Sequence, residues 1–77
     1  MKKYVMIYEN GGNVDIRFIQ SDKDFESEGI KLGHSLWGDF VDDDLKDYLN
    51  ETFEIDFEDG ETFMIREIPE IFDFEKI

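Results

Sequence analysis

Residues 38–61 read GDFVDDDLKDYLNETFEIDFEDGE, and two apolar rhythms run through this acidic stretch. Val41, Leu45, Tyr48, Leu49 and Thr52 recur at i, i+4, i+7, i+8 and i+11, which is one stripe of a helix. Asp42 or Asp43 stands where an N-cap belongs, and the Asp run complements the positive end of the helix dipole. The pattern predicts a helix over 42–52, with Asp42 and Lys46 as an i,i+4 pair. From Phe53 the period falls to two: Phe53, Ile55 and Phe57 alternate with Glu54, Asp56 and Glu58. That alternation reads as a half-buried strand. A three-residue loop, Glu58-Asp59-Gly60, pairs Ile55 with Phe63 and Phe53 with Ile65. It keeps the apolar set on one face and puts Gly60 where the loop needs a left-handed residue. The expectation is therefore a hairpin, 53–57 with 61–67, ended by Pro69, which has no ladder donor. Residues 70–77 could add a short strand or a closing helical turn.

Toward the N-terminus the period is again two. Residues 4–9 and 14–19 flank Asn10-Gly11-Gly12-Asn13, a strong hairpin turn because Asn and Gly tolerate positive φ. A turn at Asn10-Gly11 pairs Ile7 with Val14; a turn at Gly11-Gly12 pairs Ile7 with Ile16. Either register places Val5, Ile7, Val14, Ile16 and Phe18 on one face, which is expected to be the core. Tyr4, Met6 and Tyr8 then share a semi-polar face with Asp15, Arg17 and Ile19. Residues 21–38 read as a loop in which Ser21 or Asp22 caps a helical turn and Ile30 and Leu32 form a short strand. His34, Leu36, Trp37 and Phe40 are expected to tuck this loop onto the core. The fold class is α+β: one domain, 1–77, with an antiparallel sheet built from two hairpins and one helix packed on it. A curled, barrel-like sheet is the alternative.

Composition narrows the chemistry. Seventy-seven residues allow one small core. There is no cysteine, so neither disulfides nor thiolate metal sites can staple it. Eight Phe, three Tyr and one Trp supply large areas to bury instead. No apolar run approaches the ~18 residues of a membrane span, and no leader pattern follows Met1, so a cytoplasmic protein is expected. The net charge is −13 and it is segregated: residues 1–38 sum to −1 and residues 39–77 to −12. Direct binding to nucleic acid or to anionic membranes is disfavoured, since both require Lys/Arg surfaces.

From Asp39 to Glu61 there are eleven acids against one base, Lys46. On a helix, Asp43, Asp47 and Glu51 would stand ~6 Å apart along the axis. On a strand, Glu54, Asp56 and Glu58 would stand ~6.7 Å apart. Both spacings are close to that of neighbouring phosphates along a nucleic-acid strand. A solvated face that only aids solubility is the simpler reading, but the density and the one-sidedness favour a cationic partner. The partner-binding set is Asp43, Asp44, Asp47, Glu51, Glu54, Asp56, Glu58 and Asp59. In size, charge and α+β make-up the chain is similar to the anti-CRISPR, anti-restriction and uracil-glycosylase-inhibitor proteins of phages and mobile elements. That resemblance is one of composition and carries no motif. It implies a protein inhibitor acting by DNA or RNA mimicry in the groove of a basic nucleic-acid-binding protein, such as a CRISPR effector, restriction enzyme, glycosylase or nucleoid protein. An antitoxin, an immunity-type protein or an RNA-polymerase-binding regulator would use the same acidic face.

Enzymatic chemistry has little support. His34 beside Ser35 is adjacency without geometry, and paired carboxylates carry no information in so acidic a chain. No phosphate-binding glycine loop is present. Counting back from Gly60 puts Ile55 and Phe57 where an EF-hand needs ligands, so neither a metal nor any other cofactor is expected. Trp37, Tyr4 and Tyr8 read as core or loop packing, and as anchors against an arginine-rich groove if exposed. A monomer or a homodimer is compatible with all of this.

Overall fold

The chain opens with the expected hairpin in the computed structural model, which describes residues 1–77. Strands β1 (Lys2–Asn10) and β2 (Asn13–Ser21) pair antiparallel with Asn10 opposite Asn13, Ile7 opposite Ile16 and Val5 opposite Phe18. This is the Gly11-Gly12 register. Both glycines have positive φ, 50° and 90°, as a tight turn matched to the strand twist requires. After a looped segment come the two-residue strand β3 (Leu36–Trp37), a 3-10 turn (Gly38–Phe40) and helix α1 (Asp43–Phe53). Strand β4 (Thr62–Ile68) follows and stops before Pro69. All four strands form one antiparallel sheet, in the order β2-β1-β4-β3. The architecture is α+β, as expected.

The second hairpin does not form. Residues 54–61 carry no strand, and β4 pairs with β1 and β3 instead. The helix runs to Phe53, and Glu54 then takes a left-handed conformation (φ 54°, ψ 51°) that turns the chain. Two of the segment's amides find acceptors at the end of the helix: Ile55 N donates to the Asn50 carbonyl at 3.2 Å and Phe57 N to the Asn50 side chain at 2.7 Å. Those two donors need no ladder partner. The alternation survives as burial without pairing: Phe53 and Phe57 are buried while Glu54, Asp56 and Glu58 are exposed. The expected turn at 58–60 does form, with Gly60 at φ 83° and Glu61 N bonded to the Glu58 carbonyl.

The buried face of the first hairpin is the other one. Tyr4, Met6 and Tyr8 are buried, and Val14, Ile16 and Phe18 are exposed, with Val5 and Ile7 only half-buried. The cause is long-range. Strand β4 sets Phe63 opposite Tyr8 and Ile65 opposite Met6, so the larger apolar surface lies on the tyrosine side. Phe53 and Phe57 close over it, their rings 5.3 and 6.1 Å from that of Phe63. The tyrosine hydroxyls reach polar partners at the layer's margin, which makes their burial tolerable.

The looped segment contributes Phe25 and Ile30 to the core. Phe25 stacks edge-on to Tyr4 at 4.9 Å. Leu32 and Leu36 pack against this cluster. There is no strand at Ile30–Leu32, and Asp24 rather than Ser21 or Asp22 caps the local turn, its side chain accepting from Ser27 N. Contrary to expectation, His34, Trp37 and Phe40 are exposed. Residues 70–77 form neither helix nor strand, and Ile71, Phe72, Phe74 and Ile77 are exposed. No helix is long and apolar enough to cross a membrane.

The outcome is two layers. The sheet has one face under α1 and residues 54–61 and the other open. Across the open face run the rows Phe18, Val5, Arg66 and Ile16, Ile7, Met64. They are flanked by Gln20, Lys3, Ile68 at one end and by Val14, Glu9, Thr62 and Trp37 at the other.

Candidate functional site

The acidic layer is built from α1 outward. Asp42 is the N-cap: its carboxylate accepts from Leu45 N at 2.8 Å, satisfying one of the helix's free amides. Asp43 and Asp44 follow in the first turn, where carboxylates meet the positive end of the dipole. Leu49 and Phe53 are buried, and Leu45 and Tyr48 pack beside them. At about 100° per residue, Asp43, Asp44, Asp47 and Glu51 fall within an arc of about 100° opposite Leu49. All four are exposed, and so are Glu54, Asp56, Glu58 and Asp59 on the segment that follows. Every member of the expected set therefore lies in the layer covering one face of the sheet, with access to solvent. The spacing expected of a strand does not apply to Glu54, Asp56 and Glu58, because that segment is irregular.

The turn at 58–60 is pinned to the helix and to the 3-10 turn. Lys46 does not pair with Asp42, whose carboxylate is taken up by the cap. Its Nζ instead donates to Asp59 Oδ1 at 2.6 Å. That hydrogen bond raises the lysine's pKa above its ordinary value, helped by the charges of Asp59, Asp43 and Asp39. Gly60 N donates to Asp39 Oδ1 at 2.8 Å, and Gly38 N to the Glu61 carbonyl at 2.9 Å. Gly38 is buried against Glu58 so closely that a Cβ there would lie 2.0 Å from the Glu58 carbonyl oxygen.

Two cations border the layer. Arg17 Nη1 donates to the Phe53 carbonyl, one of the free acceptors at the helix C-terminus. Lys23 lies 5.8 Å from the centre of the Tyr48 ring, in cation–π range. Both line a groove between β2 and the end of α1 that also contains Glu51 and Glu54. Neither contact was legible in sequence, because each joins residues far apart in the chain.

No three His, Asp or Glu side chains are grouped as metal ligands would be. His34 stands exposed in the loop. Tyr4 and Tyr8 belong to the core, whereas Phe40, next to Asp39 in the chain, is 87% exposed and Trp37, opposite Thr62, is exposed at one end of the open sheet face. No family model matches the chain, and neither a curated protein nor a solved structure is detectably similar to it.

Proposed function

We propose that this protein is a small acidic inhibitor that enters the basic nucleic-acid-binding groove of a partner protein by imitating the charge of a DNA or RNA strand. One observation carries the reading: Asp43, Asp44, Asp47, Glu51, Glu54, Asp56, Glu58 and Asp59 are all exposed, on one layer made of α1 and the turn that Lys46 ties to it. A groove that presents Lys and Arg to phosphates meets, along α1, carboxylates at Asp43, Asp47 and Glu51 that rise ~6 Å from one to the next, and gains the electrostatic steering that nucleic acid gains. Phe40 would add apolar and cation–π contacts at the margin.

The partner class is a CRISPR effector, restriction enzyme, glycosylase or nucleoid protein. The test is binding to a panel of such proteins with duplex DNA or guide RNA as competitor. Competition is expected, as is loss of binding on the joint reversal Asp43→Lys, Asp47→Lys and Glu51→Lys. Binding that survives both the competitor and the reversal would end the mimicry reading. Binding that needs the acids but ignores nucleic acid would transfer the face to an antitoxin, immunity or polymerase-regulating role.

A further inference from the structure

The open face of the sheet is out of character with the rest of the surface. Ile16 is 58% exposed and Phe18 78%, standing beside half-buried Val5, Ile7 and Met64. At a strand spacing of about 4.8 Å and a rise of about 3.4 Å per residue, β2, β1 and β4 span roughly 14 by 27 Å in plan. Within that plan Val14, Ile16, Phe18, Val5, Ile7 and Met64 form a contiguous apolar patch between polar ends, the kind of patch that is often an interaction site. Its charges are Lys3, Arg66 and Glu9, a sum of +1 on a chain of −13. Two copies of this polyanion can therefore meet through this face with far fewer opposed acids than through the α1 layer.

The pattern on that face is also self-complementary. Lys3 and Glu9 stand on the same side of β1, at opposite ends of the strand. A two-fold axis in the interface plane and perpendicular to the strands lays β1 on its counterpart reversed. Lys3 of each protomer then meets Glu9 of the other, and the row containing Ile7 meets the row containing Val5. A two-fold axis along the strands would instead set Lys3 on Lys3 and Glu9 on Glu9. An isologous interface requires a patch that complements itself in this way. Sheets pack face to face about 10 Å apart with their strands about 30° off alignment, which accommodates Phe18 and Ile16 at the margin.

We infer that two copies of this chain associate through the open sheet face in the reversed arrangement, forming a four-layer dimer with an acidic layer on each outer side. The proposal rests on the face alone and stands or falls independently of what the acids bind.

Sedimentation of the full chain from micromolar to submillimolar concentration tests it. A dimer is expected at the upper end. Ile16→Glu with Phe18→Ser should yield a monomer with an unchanged far-ultraviolet circular dichroism spectrum, because both residues are exposed within one chain. Lys3→Glu should weaken the dimer severalfold by setting a new carboxylate against that of Glu9, whereas the other two-fold axis, or pairing along the outer edge of β2, leaves it unaffected. A wild-type chain that stays monomeric throughout overturns the proposal, as does a dimer insensitive to both changes. If the wild type is monomeric and Phe72→Ser with Phe74→Ser newly exposes the face to an apolar dye, the chain's own C-terminal segment is the occupant, and the dimer is wrong.

Discussion

The hydroxyl of Tyr8 lies 2.7 Å from Glu61 Oε1 and donates to it, joining the central strand to the far end of the acidic turn. The Asp56 carbonyl, 2.6 Å away, is a second acceptor for the same proton. Glu61 in turn accepts from Glu58 N at 2.9 Å, so one carboxylate ties the sheet to the turn.

Burial, with the Glu61 hydrogen bond behind it, pushes the Tyr8 phenol up from 10.0 to about 12. Tyr4 shifts the same way, chiefly through burial. Between the unfolded and folded values the native state holds the proton more tightly. The stability this contributes is therefore fully present below about pH 10 and is lost as pH rises through about 12. Urea titrations from pH 8 to 12 should show the midpoint falling only above about pH 10, together with delayed phenolate absorbance. Tyr8→Phe should cost about 1–3 kcal/mol near neutrality, since it removes a hydrogen bond to a partly buried carboxylate.

Gly38→Ala should be among the most damaging single changes. Its Cβ would lie 2.0 Å from backbone at Glu58, which cannot swing aside as a side chain would. Overpacking of this kind costs about 1–3 kcal/mol, or more where backbone must move. Chemical denaturation should register it, and hydrogen exchange should show the loss concentrated at 58–61.

Glu54→Gly should stabilise the fold. Glu54 is the one non-glycine residue at positive φ, and it places a negative charge at the negative end of the helix. Glycine removes both penalties, worth about 1 kcal/mol together. A raised melting temperature with weaker partner binding would separate the folding role of this position from its proposed contact role.

Asp42→Ala removes the N-cap and should cost about 1 kcal/mol, with Asp42→Asn nearly neutral because the amide oxygen can still accept from Leu45 N. Added salt should raise the melting temperature of all these variants by screening the acidic layer. Thermal melts across a salt series check both.

The helix could be read from sequence because the stripe from Val41 to Thr52 is decided locally; a tight turn within Asn10–Asn13 was readable for the same reason, although the local pattern left two registers open. The buried face of β1 was not. Both of its faces are apolar, and alternation cannot choose between them. The choice was made by Phe63 and Ile65, near the other end of the chain, and by where the helix comes to rest. Phe53, Ile55 and Phe57 kept their alternation but lost their strand, because Asn50 supplies acceptors that a neighbouring strand would have supplied. The exposure of the acids followed from the same alternation and needed no pairing. Their relation to Lys46, Arg17 and Asp39 depends on tertiary contacts and was invisible.

A helix laid on only one side of the sheet also has a calorimetric consequence. Apolar area on the bare side is already hydrated in the folded single chain, so unfolding wets less new surface than the chain length suggests. The heat-capacity increment of the isolated protomer should be small and its stability curve correspondingly flat, and the increment should grow with concentration wherever copies cover one another.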